Sequence, residues 1–432
     1  MECGKIELLT HNLEHSMRAN SLLRQLLDQE HTIVRGFQLD ERGLTIDVAP
    51  ATRVPRCSGC TNRVPRGYDA RTRTWRHLDF AGMRVSLRYR LQRVDCPRCG
   101  VTSELVPWAD PGSAFTRDFE DTVGLLAQRM DKTGVCGLMG IAWQTVGSVA
   151  SRVFRRRGPR DSLDGLRRIG IDEISYKRRH HYLTVVTDHD RKRVVWVGIG
   201  RKAATVDAFF DALGEQRTSQ IQLVSIDMAG GYIEAVKRRA PRAAIVFDRF
   251  HVQRLAHDAL DEVRRSEVRA QLGGAAAKAL KHTRWSLLKR PWNLTLGERQ
   301  RLASVQNANS ALYRAYLLKE TLCHILDGRQ VHVAARRLGE WLAWAQRSRL
   351  KPFIRLAKTI KEHEEGILRY VSTRLTNAFA EGINSKVRTG VKQAYGFRDP
   401  SSLIAMIFLR CSGMTIPPVR HVPARAVTQL AA

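Results

Sequence analysis

Acidic residues are scarce in this chain: 42 Asp and Glu stand against 72 Lys and Arg, a formal net charge of +30 over 432 residues. The excess runs through the sequence instead of collecting in one tail. That points to a polyanionic partner, nucleic acid first, because every phosphate neutralised by a cation releases counterions. A membrane surface is the competing polyanion, but there is no run of 18 or more apolar residues and no polybasic amphipathic anchor. The opening MECGKIELLTHNLEH has no apolar core of signal-peptide length, so the expected compartment is the cytoplasm, on the nucleoid. Eight cysteines are too few for a disulfide scaffold. No G-x-x-x-x-G-K-[ST] loop and no serine or tyrosine nucleophile motif stands out, so neither ATP-driven nor covalent recombinase chemistry is indicated. The hydrophobic fraction of 43% is that of an ordinary globular chain, with length for roughly two to four domains.

Four of the cysteines are organised. Cys57 and Cys60, then Cys96 and Cys99, form two C-x-x-C units with the spacing of zinc knuckles, each turn presenting two thiolates to one tetrahedral ion. A redox pair or chance spacing is the alternative. Cys3, Cys136, Cys323 and Cys411 are scattered and read as packing residues. Between the knuckles Val85, Leu87, Tyr89 and Leu91 alternate with Arg84, Ser86, Arg88 and Arg90. This is a strand with one apolar face and one basic face, available to phosphates or simply solvated. Ahead of them lie an apolar-periodic segment, Ser21 to Leu27, and an alternating stretch, Gly43 to Val48, neither of which discloses a function.

After the break VPWADPGSAFT, a helical pattern carries Phe119, Val123, Leu126 and Met130. A short helix over Lys132 to Met139 meets a turn at Gly140. A third helix from Trp143 buries Val146, Val149, Ala150 and Val153 and turns Gln144, Ser148, Arg152 and Arg155 outward, with Arg156 and Arg157 adjoining. This is the pattern of a helix-turn-helix that reads a major groove, although three-helix bundles that bind no DNA look alike. Gln144, Ser148, Arg152, Arg155, Arg156 and Arg157 are its candidate DNA contacts.

Three apolar strands then end in, or carry, an acid: RRIGIDEIS, IQLVSID and AAIVFDRFH, with Asp172, Asp227 and Asp248. Two strands, YLTVVTDHD and KRVVWVGIG, follow the first in a meander, and helices from Thr205 to Leu213 and from Gly231 to Arg239 alternate with the later strands. Three antiparallel strands followed by β-α-β units is the order of a ribonuclease-H-like fold, whose site gathers where strand ends meet. From Leu255 to Tyr370 the pattern is long, basic and helical, with a capping box at Thr295 and Glu298 and a pair, Trp341 and Trp344, that reads as core over base-stacking platform. A final helix, from about Thr376, buries Phe379, Ile383 and Val387. It shows Asn377, Glu381, Asn384 and Arg388 on another face, a lone acid among groups suited to phosphate.

Carboxylates on buried strand ends call for a cation between them. Phosphodiester cleavage needs an activated oxygen nucleophile and a compensated leaving oxygen, and two divalent ions supply both. Mg²⁺ (or Mn²⁺) suits carboxylates, water and phosphate, so three acids suffice. Asp172 is assigned to bridge the ions, with Asp227 and Glu381 each completing one. Asp248 is the rival third ligand, and His251, Asn377 and Asn384 are supporting groups. A strand-end Asp taken singly is as well explained as a helix cap.

The expected fold class is therefore α/β. A zinc-ribbon domain (1–110) and an all-α helix-turn-helix domain (111–160) precede a ribonuclease-H-like catalytic domain (161–257 and 371–414), which is split by a helical insertion (258–370) and followed by a disordered tail (415–432).

Several motifs in order resemble one family: the paired C-x-x-C units, the helix-turn-helix, GIDE at 170–173, Asp227-Met228 with Tyr232, DRFH at 248–251, NAFAEGINSKVR at 377–388 and AYGFRD after it. They are similar to bacterial insertion-sequence transposases of the DDE type with an N-terminal zinc ribbon, the ISL-three group. The resemblance implies a triad of Asp172, Asp227 and Glu381 and binding of double-stranded DNA at the element's terminal inverted repeats. It also implies strand cleavage with water, attack of the freed 3′-hydroxyl on target DNA, and a homo-oligomer in a synaptic complex. One departure is Thr61, where such knuckles usually carry glycine. A structure-specific nuclease on the same fold and a catalytically silent DNA-binding regulator are the rival readings.

Overall fold

The computed structural model describes residues 12–177, 181–228, 230–270, 280, 282–393 and 399–418, with the side chains of 12–18 and 393 left aside. The opening segment 1–11, residues 394–398 of the AYGFRD motif, and the tail from 419 lie outside the described residues. The chain divides into two compact units, one built from the first 158 residues with the C-terminal helix, the other from residue 159 to 396.

In the first unit, helix α1 (Asn12–Leu27) is followed by β1 (Thr32–Asp40), β2 (Gly43–Pro50), β3 (Gly67–Arg76), β4 (Val85–Cys96) and β5 (Gly100–Ser103). The sheet order is β1-β2-β4-β3, with β5 pairing β4; β2 and β4 run parallel and the other pairs antiparallel. The alternation expected along β4 is present: Val85, Leu87 and Leu91 are buried with Trp75 and Trp108, while Arg84 and Arg90 face solvent. Arg88 is engaged, binding Asp47 through two hydrogen bonds of 2.6 and 2.9 Å.

Three helices follow, α2 (Arg117–Arg129), α3 (Lys132–Met139) and α4 (Trp143–Arg157). Thr116 and Asp131 cap the first two by accepting from Phe119 N and Gly134 N, and Gly140 ends α3 in the left-handed conformation at φ 56°. Val146, Val149, Ala150 and Val153 are fully buried, as their spacing predicts. The C-terminal helix (Pro400–Cys411) belongs to this first unit up to Arg410, whereas the sequence pattern assigns it to a catalytic domain reaching 414. The physical reason is local. Arg410 Nε donates to Ala127 O at 2.8 Å, Gln128 Nε2 donates to Leu409 O and Met414 O at 2.8 Å, and Phe408 stacks on Phe154.

The second unit is built on β6 (Arg168–Lys177), β7 (His181–Asp188), β8 (Arg193–Ile199), β9 (Leu223–Ile226) and β10 (Ala244–Phe247). Their spatial order is β10-β9-β6-β7-β8. β6, β7 and β8 are antiparallel neighbours; β9 and β10 join in parallel. Helices α5 (Ala203–Leu213), α6 (Glu215–Thr218) and α7 (Gly230–Arg239) make the crossovers. Phe209, Phe210, Val224, Ile226 and Val236 fill the core beneath them. This is the mixed α/β sheet the strand pattern calls for.

Helix α8 (Arg249–Ala270) leaves β10 and runs straight through position 258, so the expected insertion boundary falls inside one helix. The helical region continues as α9 (Arg284–Leu288), a 3-10 turn (Pro291–Asn293), α10 (Leu296–Ala308), α11 (Ser310–Asp327), α12 (Val331–Arg347), α13 (Lys351–Glu362) and α14 (Glu364–Thr373). Both halves of the Thr295/Glu298 capping box form. Trp341 is core, donating from Nε1 to Leu318 O at 2.8 Å, and Trp344 is half-buried. α14 closes the sheet at β10: Arg369 donates to Ile245 O at 3.0 Å and His363 packs on Phe247. Last comes α15 (Ala378–Gln393), whose buried line is Ala380, Ile383 and Val387; Phe379, expected in that line, is half-buried.

Candidate active site and zinc centre

β6 is the central strand, and its residues from Ile169 to Asp172 are buried on both faces. Asp172 is only 8% exposed. Its Oδ1 accepts from Glu173 N at 2.7 Å and its Oδ2 from Asn384 Nδ2 of α15 at 2.8 Å. Burial pushes its carboxyl upward, against those two hydrogen bonds, and the negative charge of Asp227 adds to the rise. Asp227 follows β9 directly and accepts from Met228 N at 2.6 Å. Its other oxygen faces His251 Nε2 at 3.4 Å and Arg254 at 3.3 Å.

Asp248, at the end of β10, is fully buried and divides its two oxygens. Oδ2 lies 3.3 Å from His251 Nδ1, and Oδ1 accepts from Asn377 N at 3.3 Å. Burial by itself would lower the His251 pKa, but the bond to Asp248 and the charge of Asp227 raise it. Asn377 sits one turn before Glu381, whose N–H donates to Asn377 O at 2.8 Å, so Asp248 fixes the start of the helix that carries Glu381. Glu381 is exposed and no direct partner holds it among the described residues. Desolvation raises its carboxyl, followed by repulsion from Asp248 and Asp172, with His251 opposing. Asp172, Asp227, Asp248, His251 and Glu381 thus share one electrostatic neighbourhood. Their oxygens are not drawn to ligand spacing; among the described residues only the four cysteines reach that.

Sequence reasoning missed the polar chain beneath these acids. His189 Nε2 lies 2.6 Å from Ser225 Oγ, which donates in turn to Asn377 Oδ1. Burial drops the His189 pKa to about 4, so the ring is neutral. Gly170 makes room for this chain: a Cβ there would sit 2.7 Å from His189 Nε2 and 3.2 Å from Asn377 Oδ1. Arg254 was missed too, though it lies one turn beyond His251 on the same helix, a signal available in the sequence.

In the first unit, Cys57, Cys60, Cys96 and Cys99 place their sulfurs within 4.8 Å of one another, with Cys60 Sγ 3.5 Å from Cys96 Sγ. Contact with Cys60 and Cys57 pushes Cys99 up to about 12, since so many sulfurs cannot ionise side by side without a cation. Four soft ligands at this separation fit one tetrahedral Zn²⁺. Thr61, the departure in the first knuckle, has φ 63°; its counterpart in the second, Gly100, has φ 70°.

The helix-turn-helix candidates divide. Gln144, Ser148 and Arg155 are exposed. Arg152 is bound to the fully buried Glu120 at 2.6 Å, Arg156 to Asp110, Glu120 and Asp121, and Arg157 to Asp121 at 2.9 Å. Their helical periodicity is as expected, but carboxylates of α2 and the preceding loop claim their guanidinium groups. Arg388 on α15 is exposed.

Comparisons with known families agree in order along the chain. A transposase family matches residues 169–407, the helix-turn-helix domain of transposase family ISL3 matches 104–153, and the zinc finger of transposases IS204/IS1001/IS1096/IS1165 matches 53–99. A transposase for insertion sequence element IS1557 from Mycobacterium tuberculosis, found in strains CDC 1551 / Oshkosh and H37Rv, is 39% identical over 434 residues, covering 92% of this chain and 96% of the relative. A transposase for insertion sequence element IS1001 from Bordetella parapertussis is 27% identical over 361 residues, covering 83% and 89%. Such matches define a DNA transposase with a zinc finger and a helix-turn-helix ahead of its transposase domain. The chain belongs to the ISL3 family of insertion-sequence transposases.

Proposed function

We propose that the chain binds the terminal inverted repeats of its element and performs metal-dependent strand cleavage and strand transfer through Asp172, Asp227 and Glu381. The observation that carries this reading is the convergence of the three acids from β6, the end of β9 and the first turn of α15, where burial and mutual repulsion raise the carboxyls of Asp172 and Glu381. Such a set favours hard divalent cations, Mg²⁺ or Mn²⁺, because a cation relieves both the desolvation and the repulsion. Two such ions bound there would activate water or a 3′-hydroxyl and compensate charge on the leaving oxygen. Asn384 orients Asp172, and Asp248 through Asn377 sets the start of the Glu381 helix. The strand order, with three antiparallel strands and two parallel ones added beside β6, supports reading this unit as a ribonuclease-H-like fold.

Gln144, Ser148 and Arg155 form the face of α4 that enters the major groove of a terminal repeat. Arg388 contacts phosphate near the acids. The zinc ribbon adds a second DNA-binding module, and two element ends are paired in a homo-oligomer on the nucleoid. The test is incubation with labelled element ends, a target plasmid and Mg²⁺. Joined products are expected from wild type and none from Asp227→Asn or Glu381→Gln, which keep end binding. Cut ends without joined products would make the protein a nuclease, and wild type no better than Asp172→Asn would make it a silent regulator.

A further inference from the structure

Most large aromatics of the chain are packed away, Trp75, Trp108 and Trp341 almost completely. Among the exposed aromatics, which also include Tyr68, Phe80, Phe37 and Phe250, Trp285 and Trp292 are the two tryptophans, each 65% exposed, with Leu296 beside them in sequence at 76%. A loose loop does not account for this. Ser286 and Leu287 are 1% exposed and Leu294 is 6%, so the residues alternating with the tryptophans anchor the segment. Lys289 pairs with Glu298 at 2.6 Å, and Arg290 with Glu320 and Asp327. The backbone is held in place, and the two indoles project from it.

Each indole has an arginine on one face: Arg284 at 5.3 Å from the Trp285 ring and Arg290 at 4.6 Å from the Trp292 ring. The charge along this segment is mostly of one sign, although Arg284 Nε lies 3.7 Å from Asp261 and Arg290 is paired with Glu320 and Asp327. Between His282 and Arg301 the exposed charged residues are Arg284, Arg299 and Arg301, while the single acid, Glu298, is buried and neutralised. A segment that joins π faces to an excess of positive charge, with no exposed acid of its own, complements a polyanion that carries flat rings. A second copy of a chain with net charge +30 offers no such complement. Paired bases in a duplex hide their faces within the stack, whereas unpaired bases present them.

We propose that Trp285 and Trp292 form a stacking platform for unpaired bases of a DNA strand, with Arg284, Arg299 and Arg301 tracking its phosphates. The idea rests on the DNA-processing reading above and adds to it the state of the DNA: a strand opened near the element end or its flank. Trp341 and Trp344, the pair singled out in the sequence, do not fill this role because Trp341 is buried.

The experiment compares full-length wild type with the double variants Trp285→Ala/Trp292→Ala, Trp285→Phe/Trp292→Phe and Trp285→Leu/Trp292→Leu. Fluorescence anisotropy is read with a labelled single-stranded oligonucleotide and with the same sequence as a blunt duplex. Loss of base stacking predicts about tenfold or greater weakening of single-strand binding in the Ala and Leu pairs, retention within about threefold in the Phe pair, and duplex affinity changed less than about twofold. The Phe and Leu pairs keep apolar bulk, so their difference decides the matter even where the Ala pair is unstable. Equal single-strand affinity in the Phe and Leu pairs would overturn the proposal. So would a shift in sedimentation with unchanged single-strand affinity, which would give the surface to a second copy of the chain. Running the series in an Asp172→Asn background keeps the two readings apart, because cleavage by that variant would sink the transposase mechanism while leaving the binding result intact.

Discussion

Asn384 Nδ2 donates to Asp172 Oδ2 at 2.8 Å, tying α15 to the central strand across 212 residues of sequence. Asn384 is itself 8% exposed, and its Oδ1 has no hydrogen-bond partner among the described residues. A buried acceptor beside a carboxylate is oriented to receive a proton donor, such as a water or hydroxyl in the reacting site. Asn384→Ala is expected to lower the cleavage rate about 10- to 100-fold and to raise the Mg²⁺ concentration needed for half-maximal rate, with end binding unchanged. A metal titration of cleavage checks this; an unaltered Mg²⁺ requirement would reduce Asn384 to a packing residue.

Arg152 and Arg155 lie three positions apart on α4 and are predicted to behave differently. Arg152→Ala removes one of the two guanidinium partners of the buried Glu120 carboxylate, leaving Arg156 and the Ser113 hydroxyl, and should destabilise the helical domain by about 1–3 kcal/mol. Arg155 is exposed and pairs with no acid among the described residues, so Arg155→Ala should leave thermal stability within about 0.5 kcal/mol while weakening binding to element ends and flattening its salt dependence. Thermal melts and salt-series binding separate the two effects. Equal loss of stability in both variants would contradict the assignment.

Thr61 occupies a left-handed backbone position with a β-branched side chain, the least suited type for it. Thr61→Gly should stabilise the zinc-loaded ribbon by about 1 kcal/mol, less the entropy that glycine adds to the unfolded chain. Denaturation at saturating zinc provides the measurement, and a destabilised variant would mean that the bond from Thr61 Oγ1 to Cys60 O outweighs the strain.

Removal of one thiolate should act through the fold. Cys96→Ser is expected to lose the zinc, unfold the ribbon and weaken end binding, and a strong chelator should do the same to wild type. Metal content by mass spectrometry is the check. A full zinc complement in Cys96→Ser would remove that sulfur from the ligand set.

His77 is 7% exposed, with Nδ1 at 2.8 Å from Thr116 Oγ1, and burial lowers its pKa to about 4. A neutral folded histidine binds fewer protons than the unfolded one near 6.5, so its contribution is complete above about pH 6.5 and is lost as the pH falls towards 4. His77→Gln should lessen that acid-side decline. Melting temperatures measured from pH 7 to 4 would show it, and parallel profiles for both proteins would exclude His77 as the titrating group.

The local features are legible because each is written in contiguous residues. C-x-x-C pairs specify a knuckle by spacing, and alternation specifies β4 and β6. The buried valines of α4 recur at helical intervals, and the order of strands and helices from Arg168 to Phe247 fixes the sheet class. The charge of +30 points to a polyanion through composition alone. Asp172, Asp227 and Glu381 are legible as candidates because each is an acid at an element end or on a polar helix face.

Other features depend on tertiary structure, because the energy of a charge or an apolar ring is set by its neighbours and not by its position along the chain. Arg152, Arg156 and Arg157 look like groove readers in sequence, yet Glu120 and Asp121 neutralise them. Trp285 and Trp341 are the same residue in similar helical surroundings, but only one is buried. The C-terminal helix follows α15 in sequence but packs on α2 and α4. Asp248, a rival ligand by sequence, is the residue that joins His251 to the start of the Glu381 helix, a role set by oxygens and nitrogens brought to 3.3 Å across more than a hundred residues. The sequence alone determined the chemical inventory and the secondary structure. Folding decided which charges are spent on one another and which remain for DNA and metal.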